Sequence, residues 1–259
     1  MAGIPDSDRQ FHLRTKNGDI GEYVFLCGDP GRVPKIAAYL ENTAFLVQNR
    51  EYTIYNGFLC GQKITVASTG IGGPSAAICM EELINCGANT FIRIGTSGGM
   101  RKDVLPGDLV IPMAATRDEG TSKEYIYENY PVVADFNIVK ELADEAAAML
   151  DKSLGNNFHV GVIQSKDSFY SQISPETMPI SDTLQKRWQS YIRLGCLASE
   201  MECAAIFSVA LTRGVRAGAV LLAIWNRDLT KEKEQISVNL DTDRAIRCAI
   251  GAMKRLINK

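Results

Sequence analysis

Twice in the first third of the chain an apolar run ends in a glycine-rich turn and passes directly into a helical pattern. The turns are Cys27-Gly28-Asp29-Pro30-Gly31-Arg32 and Ser68-Thr69-Gly70-Ile71-Gly72-Gly73-Pro74-Ser75. A third apolar run, Phe91-Ile92-Arg93-Ile94, goes straight into Gly95-Thr96-Ser97-Gly98-Gly99. Strand, tight turn and helix in succession restrict the chain to an α/β arrangement. Glycine at such turns lets backbone N–H groups approach a ligand closely. Arg93 interrupts a strand that should otherwise be uniformly apolar. A guanidinium is costly to bury unpaired, so a permanent cation there requires an anion at the strand's end. Thr96 and Ser97 add hydroxyl donors, and Arg32 stands in a second of these turns. Together they predict one site of phosphate size.

The same alternation continues along the chain. Strands are predicted at 23–27, 90–94, 108–112, 160–165 and 217–225, with a hairpin formed by 50–58 and 63–67 around glycines 57 and 61. Helices are predicted at 33–40, 74–86, 138–150, 182–193, 200–212 and 239–257. The helix at 74–86 is entered by proline and stopped by Gly87. No repeat, low-complexity tract or linker divides the chain. Residues 1–259 therefore read as one α/β domain with a central mixed sheet flanked by helices on both faces. Ligands of such sheets collect at the carboxyl ends of the strands.

Composition removes several classes of function. The 259 residues are 46% hydrophobic and 22% charged, an ordinary globular balance, and the net charge of −2 gives no footprint for nucleic acid or a membrane surface. The amino-terminal segment has no apolar core and does not read as a signal peptide. Seven scattered cysteines without a Cys-x-x-Cys pair fit reduced thiols in the cytoplasm. His12 and His159 are the only histidines, and neither has a partner at zinc-ligand spacing. The run Lys231-Glu232-Lys233-Glu234 reads as a solvated segment at the edge of a lid.

Ser199-Glu200-Met201-Glu202 opens a predicted helix and admits two readings. Carboxylates in a first helical turn complement the helix dipole. Alternatively, Glu200 and Glu202 hydrogen-bond the vicinal diol of a sugar while the Met201 thioether packs on its face. Arg32 and Arg50, taken singly, read as solvated surface cations.

Taken in order, Gly28-Asp29-Pro30-Gly31-Arg32-Val33, Arg50-Glu51-Tyr52, the turn from Ser68 to Ser75, Arg93-Ile94-Gly95-Thr96 and Glu200-Met201-Glu202 resemble the nucleoside phosphorylase family, most of all its uridine phosphorylases. The resemblance spans almost the whole chain and is weakest over 115–130 and 228–240. It implies a partly barrel-like central sheet. Gly28, Arg32, Arg93 and Thr96 match the family's phosphate pocket, and Arg50 matches an arginine that reaches the phosphate of a neighbouring subunit's site. Met201 and Glu202 match ribose contacts, Glu202 taking the 2′ and 3′ hydroxyls. Glu200 lies beside base and sugar. His12 matches a histidine, accompanied by Phe11, that crosses to the ribose 5′ hydroxyl of the partner. Phe169 matches the aromatic stacked on the base. Glu51, Ile71 and Ser75 match positions that hold a potassium ion between subunits in some members. The family needs no other cofactor, and its sites form in dimers that commonly assemble into cytoplasmic homohexamers.

The departure lies in the base pocket. Uridine phosphorylases place a glutamine and an arginine after the aromatic. Gln172 supplies the first, but Thr177 stands where the arginine is expected, and Arg227 is the cation that could compensate. The resemblance thus implies phosphorolysis of uridine to uracil and ribose 1-phosphate, with purine nucleoside phosphorylase as the alternative; Asp228 lies near the position of the purine enzymes' aspartate. A nucleosidase using water would not require Arg32, Arg50 and Arg93 together. A dinucleotide-dependent oxidoreductase would need the full Gly-x-Gly-x-x-Gly spacing, which the Gly70-to-Gly73 turn lacks. A catalytically silent nucleoside-binding protein is the third alternative.

Overall fold

The computed structural model describes residues 8–150, 157–232 and 240–259. In chain order the elements are β1 (Tyr23–Cys27), α1 (Val33–Ala37), β2 (Glu41–Asn49), β3 (Tyr52–Leu59), β4 (Gln62–Ser68), α2 (Gly73–Asn85), β5 (Thr90–Gly99) and β6 (Leu109–Asp118). They continue with α3 (Thr121–Tyr125), α4 (Phe136–Ala148), β7 (Phe158–Lys166), α5 (Tyr170–Ile173), α6 (Ser181–Arg193), β8 (Ala198–Glu200), α7 (Cys203–Arg213), β9 (Arg216–Asn226), α8 (Arg227–Glu232) and α9 (Asp243–Ile257).

The strands form one mixed sheet in the order β2-β3-β4-β1-β5-β8-β7-β6-β9, and a further pairing of β5 with β9 closes part of it on itself. Five strands, β5, β8, β7, β6 and β9, thus make the predicted barrel-like ring, from which β1, β4, β3 and β2 extend as an open sheet. Successive residues on a strand face opposite sides. Val24, Leu26 and Phe91 join Met80 and Leu83 of α2 and Ile206 and Phe207 of α7 in one apolar layer. Phe25, Ile92 and Ile94 join Ile138 and Leu142 of α4 and Ile246 and Met253 of α9 in the other. Both faces of the central strands are buried, which explains their unbroken apolar runs.

Four differences from the sequence expectations appear, and the first three have physical causes. β2 is a strand on the sheet's edge, mostly exposed, so it carries no buried alternating face to reveal it. β5 does not turn at Gly95: it continues to Gly99 because its glycines pair with β9 and, at Gly98 and Gly99, with β8. The third glycine segment is therefore extended strand rather than a turn. The helix expected at 200–212 begins at Cys203, because Ala198–Glu200 is already paired as β8 between β5 and β7. The last helix begins at Asp243 rather than at 239, a position outside the described residues. Lys233 and Glu234 of the charged run, and residues 1–7, on which the leader reading rests, also lie outside them. Among the described residues, no helix is long and apolar enough to cross a membrane.

Candidate active site

Arg93 lies on the same side of β5 as Phe91, so strand alternation turns it toward the start of α7. It is 3% exposed. Its Nη2 donates to the Glu202 carboxylate and lies 3.3 Å from Glu200 Oε2, while Nε and Nη1 have no hydrogen-bond partner. Burial pulls the guanidinium pKa down, but Glu202 and Glu200 together outweigh it and hold the value above the usual one. The strand must be bare beside it. A Cβ on Gly95 would stand 2.7 Å from Leu221 Cδ2 and 3.0 Å from Arg93 Nη2.

The two readings of Glu200 and Glu202 divide between the residues. Glu200 serves the chain: it accepts the backbone N–H groups of Glu202 at 2.9 Å and Cys203 at 3.0 Å, satisfying donors at the start of α7, and also accepts Ser165 Oγ–H. Glu202 faces the glycine turn, where Gly72, at φ 97°, donates its N–H to Oε1 at 2.6 Å. A carboxylate offers about four acceptor positions, so two remain for a diol. Burial raises the Glu202 pKa; Arg93 opposes this and Glu200 adds to it.

These groups line a cavity of about 700 Å³, within the ordinary range for a small-molecule site. It lies where the carboxyl ends of β1, β4, β5, β7, β8 and β9 meet. Of the residues singled out from the sequence, Gly28, Arg32, Glu51, Ile71, Arg93, Thr96, Phe169, Gln172, Glu200, Met201, Glu202 and Arg227 line it. Arg32 Nη1 donates to the Ile94 carbonyl at 3.2 Å, and burial lowers its pKa. Arg227 stacks over the Trp188 ring with its guanidinium carbon 5.0 Å from the ring centre, and its Nε has no partner.

Three residues are not brought to this wall. Arg50 is exposed in the tight β2–β3 turn, in the left-handed region at φ 53°. His12 is held by Glu82, whose carboxylate lies 2.7 Å from Nδ1 and accepts the His12 and Leu13 backbone N–H groups. Ser75 stands behind the wall, with Oγ donating to Glu51 Oε1 at 2.8 Å. Thr177 is exposed and bonds the Ser174 carbonyl at 2.8 Å, and Asp228 accepts the Trp188 indole N–H at 3.3 Å; neither lines the cavity. The loop lines it through Phe169, Gln172 and Ile173 instead.

Sequence reasoning missed Lys166. It ends β7, is 8% exposed, lines the cavity, and donates from Nζ to Ser199 Oγ at 2.7 Å. The argument that singled out Arg93, a cation at the end of a strand entering the core, applies equally here. Burial lowers its pKa from 10.5 to about 8, against the pull of Glu200 and Glu202. Between those values the unfolded chain binds the proton more tightly than the folded one, so stability rises with pH. Thermal melts from pH 7 to 10.5 should therefore show the wild type gaining on Lys166→Met above pH 8. A constant difference would place the ammonium in water.

The thiols near the cavity are inert by the same physics. Burial pushes Cys27 to about 12 and Cys203 well above its ordinary value, so neither offers a thiolate at neutral pH. What the cavity offers instead is fixed cations, Arg32, Arg93, Lys166 and Arg227, and hydrogen-bonding groups around the Glu202 carboxylate.

Residues 22–258 match the model of the phosphorylase superfamily. The chain belongs to that superfamily. It is 47% identical to a uridine phosphorylase of Treponema pallidum over 100% of this chain and 98% of that protein. It is 40% identical to a uridine phosphorylase of Thermococcus kodakarensis over 84% of this chain and 78% of that protein. A guanosine phosphorylase of Halorubrum lacusprofundi is 37% identical over 96% of this chain and 99% of its own length.

Proposed function

We infer that residues 1–259 act as one catalytic unit that cleaves uridine with phosphate, giving uracil and ribose 1-phosphate. The observation that carries this reading is Arg93: it holds Glu202 with one nitrogen and retains two buried N–H-bearing nitrogens without acceptors. One guanidinium can thereby tie the sugar-binding carboxylate to an oxyanion. Arg32, Thr96 and the Gly28 turn complete the anion's surroundings. Glu202 takes the 2′ and 3′ hydroxyls, Met201 packs on the sugar, and Phe169 stacks on the base beside Gln172, Glu200 and Arg227. A phosphate oxygen forms the bond to C1′ while the bond from C1′ to the base nitrogen breaks, and the electron pair leaves with the base. Phosphate is already an anionic nucleophile, so positioning and charge stabilisation supply the catalysis. Relatives named as uridine phosphorylases support uracil as the base. The guanosine phosphorylase relative supports the purine alternative, against which stands the engagement of Asp228 with Trp188.

We place this activity in the cytoplasm, as the seven free thiols suggest. We further propose that Arg50 and His12 serve the site of a neighbouring subunit in a dimer-built hexamer. Phe11, Phe45 and Ile71, large apolar side chains in the same segments, are more than half exposed. Glu51 and Ser75, already hydrogen-bonded to each other, would hold potassium together with the Ile71 carbonyl, all through the oxygen donors that a hard cation takes. A bound ion would offset the carboxylate's charge between subunits.

Uridine should be consumed only when phosphate is present, with uracil and ribose 1-phosphate released in equal amounts. Cleavage in phosphate-free buffer would make the chain a nucleosidase, and faster turnover of guanosine would reverse the base assignment. Arg50→Ala and Glu202→Gln homo-oligomers should each be nearly inactive, whereas refolded mixtures should regain activity, because some shared sites then receive intact residues from both chains. Mixtures no more active than the separate variants would confine the site to one subunit.

A further inference from the structure

Gln172 is one link in a chain of hydrogen bonds that runs away from the cavity. Lys166 Nζ donates to Ser199 Oγ at 2.7 Å, and Ser199 Oγ donates to Gln172 Oε1 at 2.9 Å. Gln172 Nε2 donates to Gln164 Oε1 at 2.6 Å, and Gln164 Nε2 donates to Asp118 Oδ2 at 2.7 Å. Asp118 is itself held by Arg187 Nη1 at 3.0 Å. The ends dictate the direction, because an ammonium only donates and a carboxylate only accepts. Reversing the Gln172 amide alone would bring two amide oxygens together. Reversing Gln164 to relieve that would set its oxygen against Asp118. The Ser199 hydroxyl can adapt by rotating its proton, so the carboxylate end is decisive. Gln164 and Ser199 are each 3% exposed, so their partners in the chain are these side chains.

We propose that Asp118 and Gln164 are positioning residues that lock the Gln172 amide in one orientation and so make the site accept a uracil edge and refuse a cytosine edge. This rests on the reading of Gln172 as a base contact in uridine phosphorolysis. One N–H on Nε2 and one lone pair on Oε1 are left over. That pair matches uracil's carbonyl oxygen and ring N3–H. Cytosine presents the reverse, an amino donor beside an unprotonated N3, which a locked amide meets donor to donor and acceptor to acceptor. Leaving such groups unpaired is what gives polar sites strong discrimination. A freely turning amide would serve both bases.

The test is kcat/KM for uridine and for cytidine in saturating phosphate. Asp118→Asn keeps the shape but ends the chain in a group that can donate, so both amides can reverse. The preference for uridine over cytidine should fall at least about tenfold. Adding Gln164→Glu moves the carboxylate one link inward, where it accepts from both neighbours, and should restore the preference. Arg187→Met leaves the acceptor in place and should keep it. An unchanged ratio in Asp118→Asn, with only a uniform loss of rate, overturns the proposal, and so does a lost preference that the double variant fails to restore. Melting curves on each variant separate misfolding from loss of orientation. Wild-type protein that leaves uridine intact in phosphate would instead refute the proposed reaction itself.

Discussion

Arg93→Ala is expected to abolish phosphate-dependent cleavage, with kcat/KM falling by about a thousandfold or more. One preorganised charge-assisted contact in a dry site is worth about 2.7–4 kcal/mol of barrier; Arg93 holds Glu202, and on the proposed reading it makes a second such contact to the oxyanion. Stability should fall as well. Removing one member of a buried ion pair leaves the other charge uncompensated, at a cost of about 3–5 kcal/mol, and here both Glu202 and Glu200 lie beside the vacated space. The double variant Arg93→Met, Glu202→Gln separates the two effects. With no charge stranded, its melting temperature should recover toward the wild-type value while activity stays absent. Normal turnover in Arg93→Ala would remove Arg93 from the anion site. A double variant no more stable than Arg93→Ala would mean that the ion pair is not what the single substitution breaks.

Glu202→Gln is expected to lower kcat/KM for uridine by about a hundredfold to a thousandfold. The amide keeps the shape but replaces an acceptor-only carboxylate with a group that must turn one polar end away from its partners. Gly72 N–H and Arg93 both donate to this side chain, so the amide nitrogen meets a donor in either orientation. The loss should depend on the sugar. A nucleoside lacking the 2′ hydroxyl has one fewer contact to lose, so the penalty for 2′-deoxyuridine should be smaller than for uridine. The pH profile offers a second check. Burial holds the Glu202 pKa above its ordinary range, so any acid limb caused by its protonation lies at higher pH than a solvated glutamate would give, and it should vanish in Glu202→Gln. Equal penalties for the two sugars would move Glu202 away from the diol.

The continuous apolar strands were legible because burial on both faces leaves no polar residue in them. β1 and the buried portions of β5 and β9 announce themselves in this way. β2 did not, since an exposed edge strand has no buried face to pattern it. The three-residue β8 was hidden because carboxylates beside a helix read as part of the helix until pairing with β5 and β7 claims Ala198–Glu200. In the site, Arg93 was legible as a cation in an apolar strand. Lys166 carried the same signal and was passed over because it closes its strand rather than interrupting it.

The order of residue types along the chain was enough to reveal an α/β sheet, glycine turns at strand ends, and an arginine within the core. These depend on local period and on the cost of burying charge, both of which act over a few residues. Tertiary structure alone decided which carboxylate Arg93 holds, that Glu200 supports a helix start while Glu202 faces the Gly72 turn and the cavity, and that Arg50 and His12 stand outside that cavity. The first two outcomes depend on the pairing of β8 with β5, which sets Glu200 and Glu202 beside Arg93 although more than a hundred residues separate them along the chain. No local pattern encodes that distance.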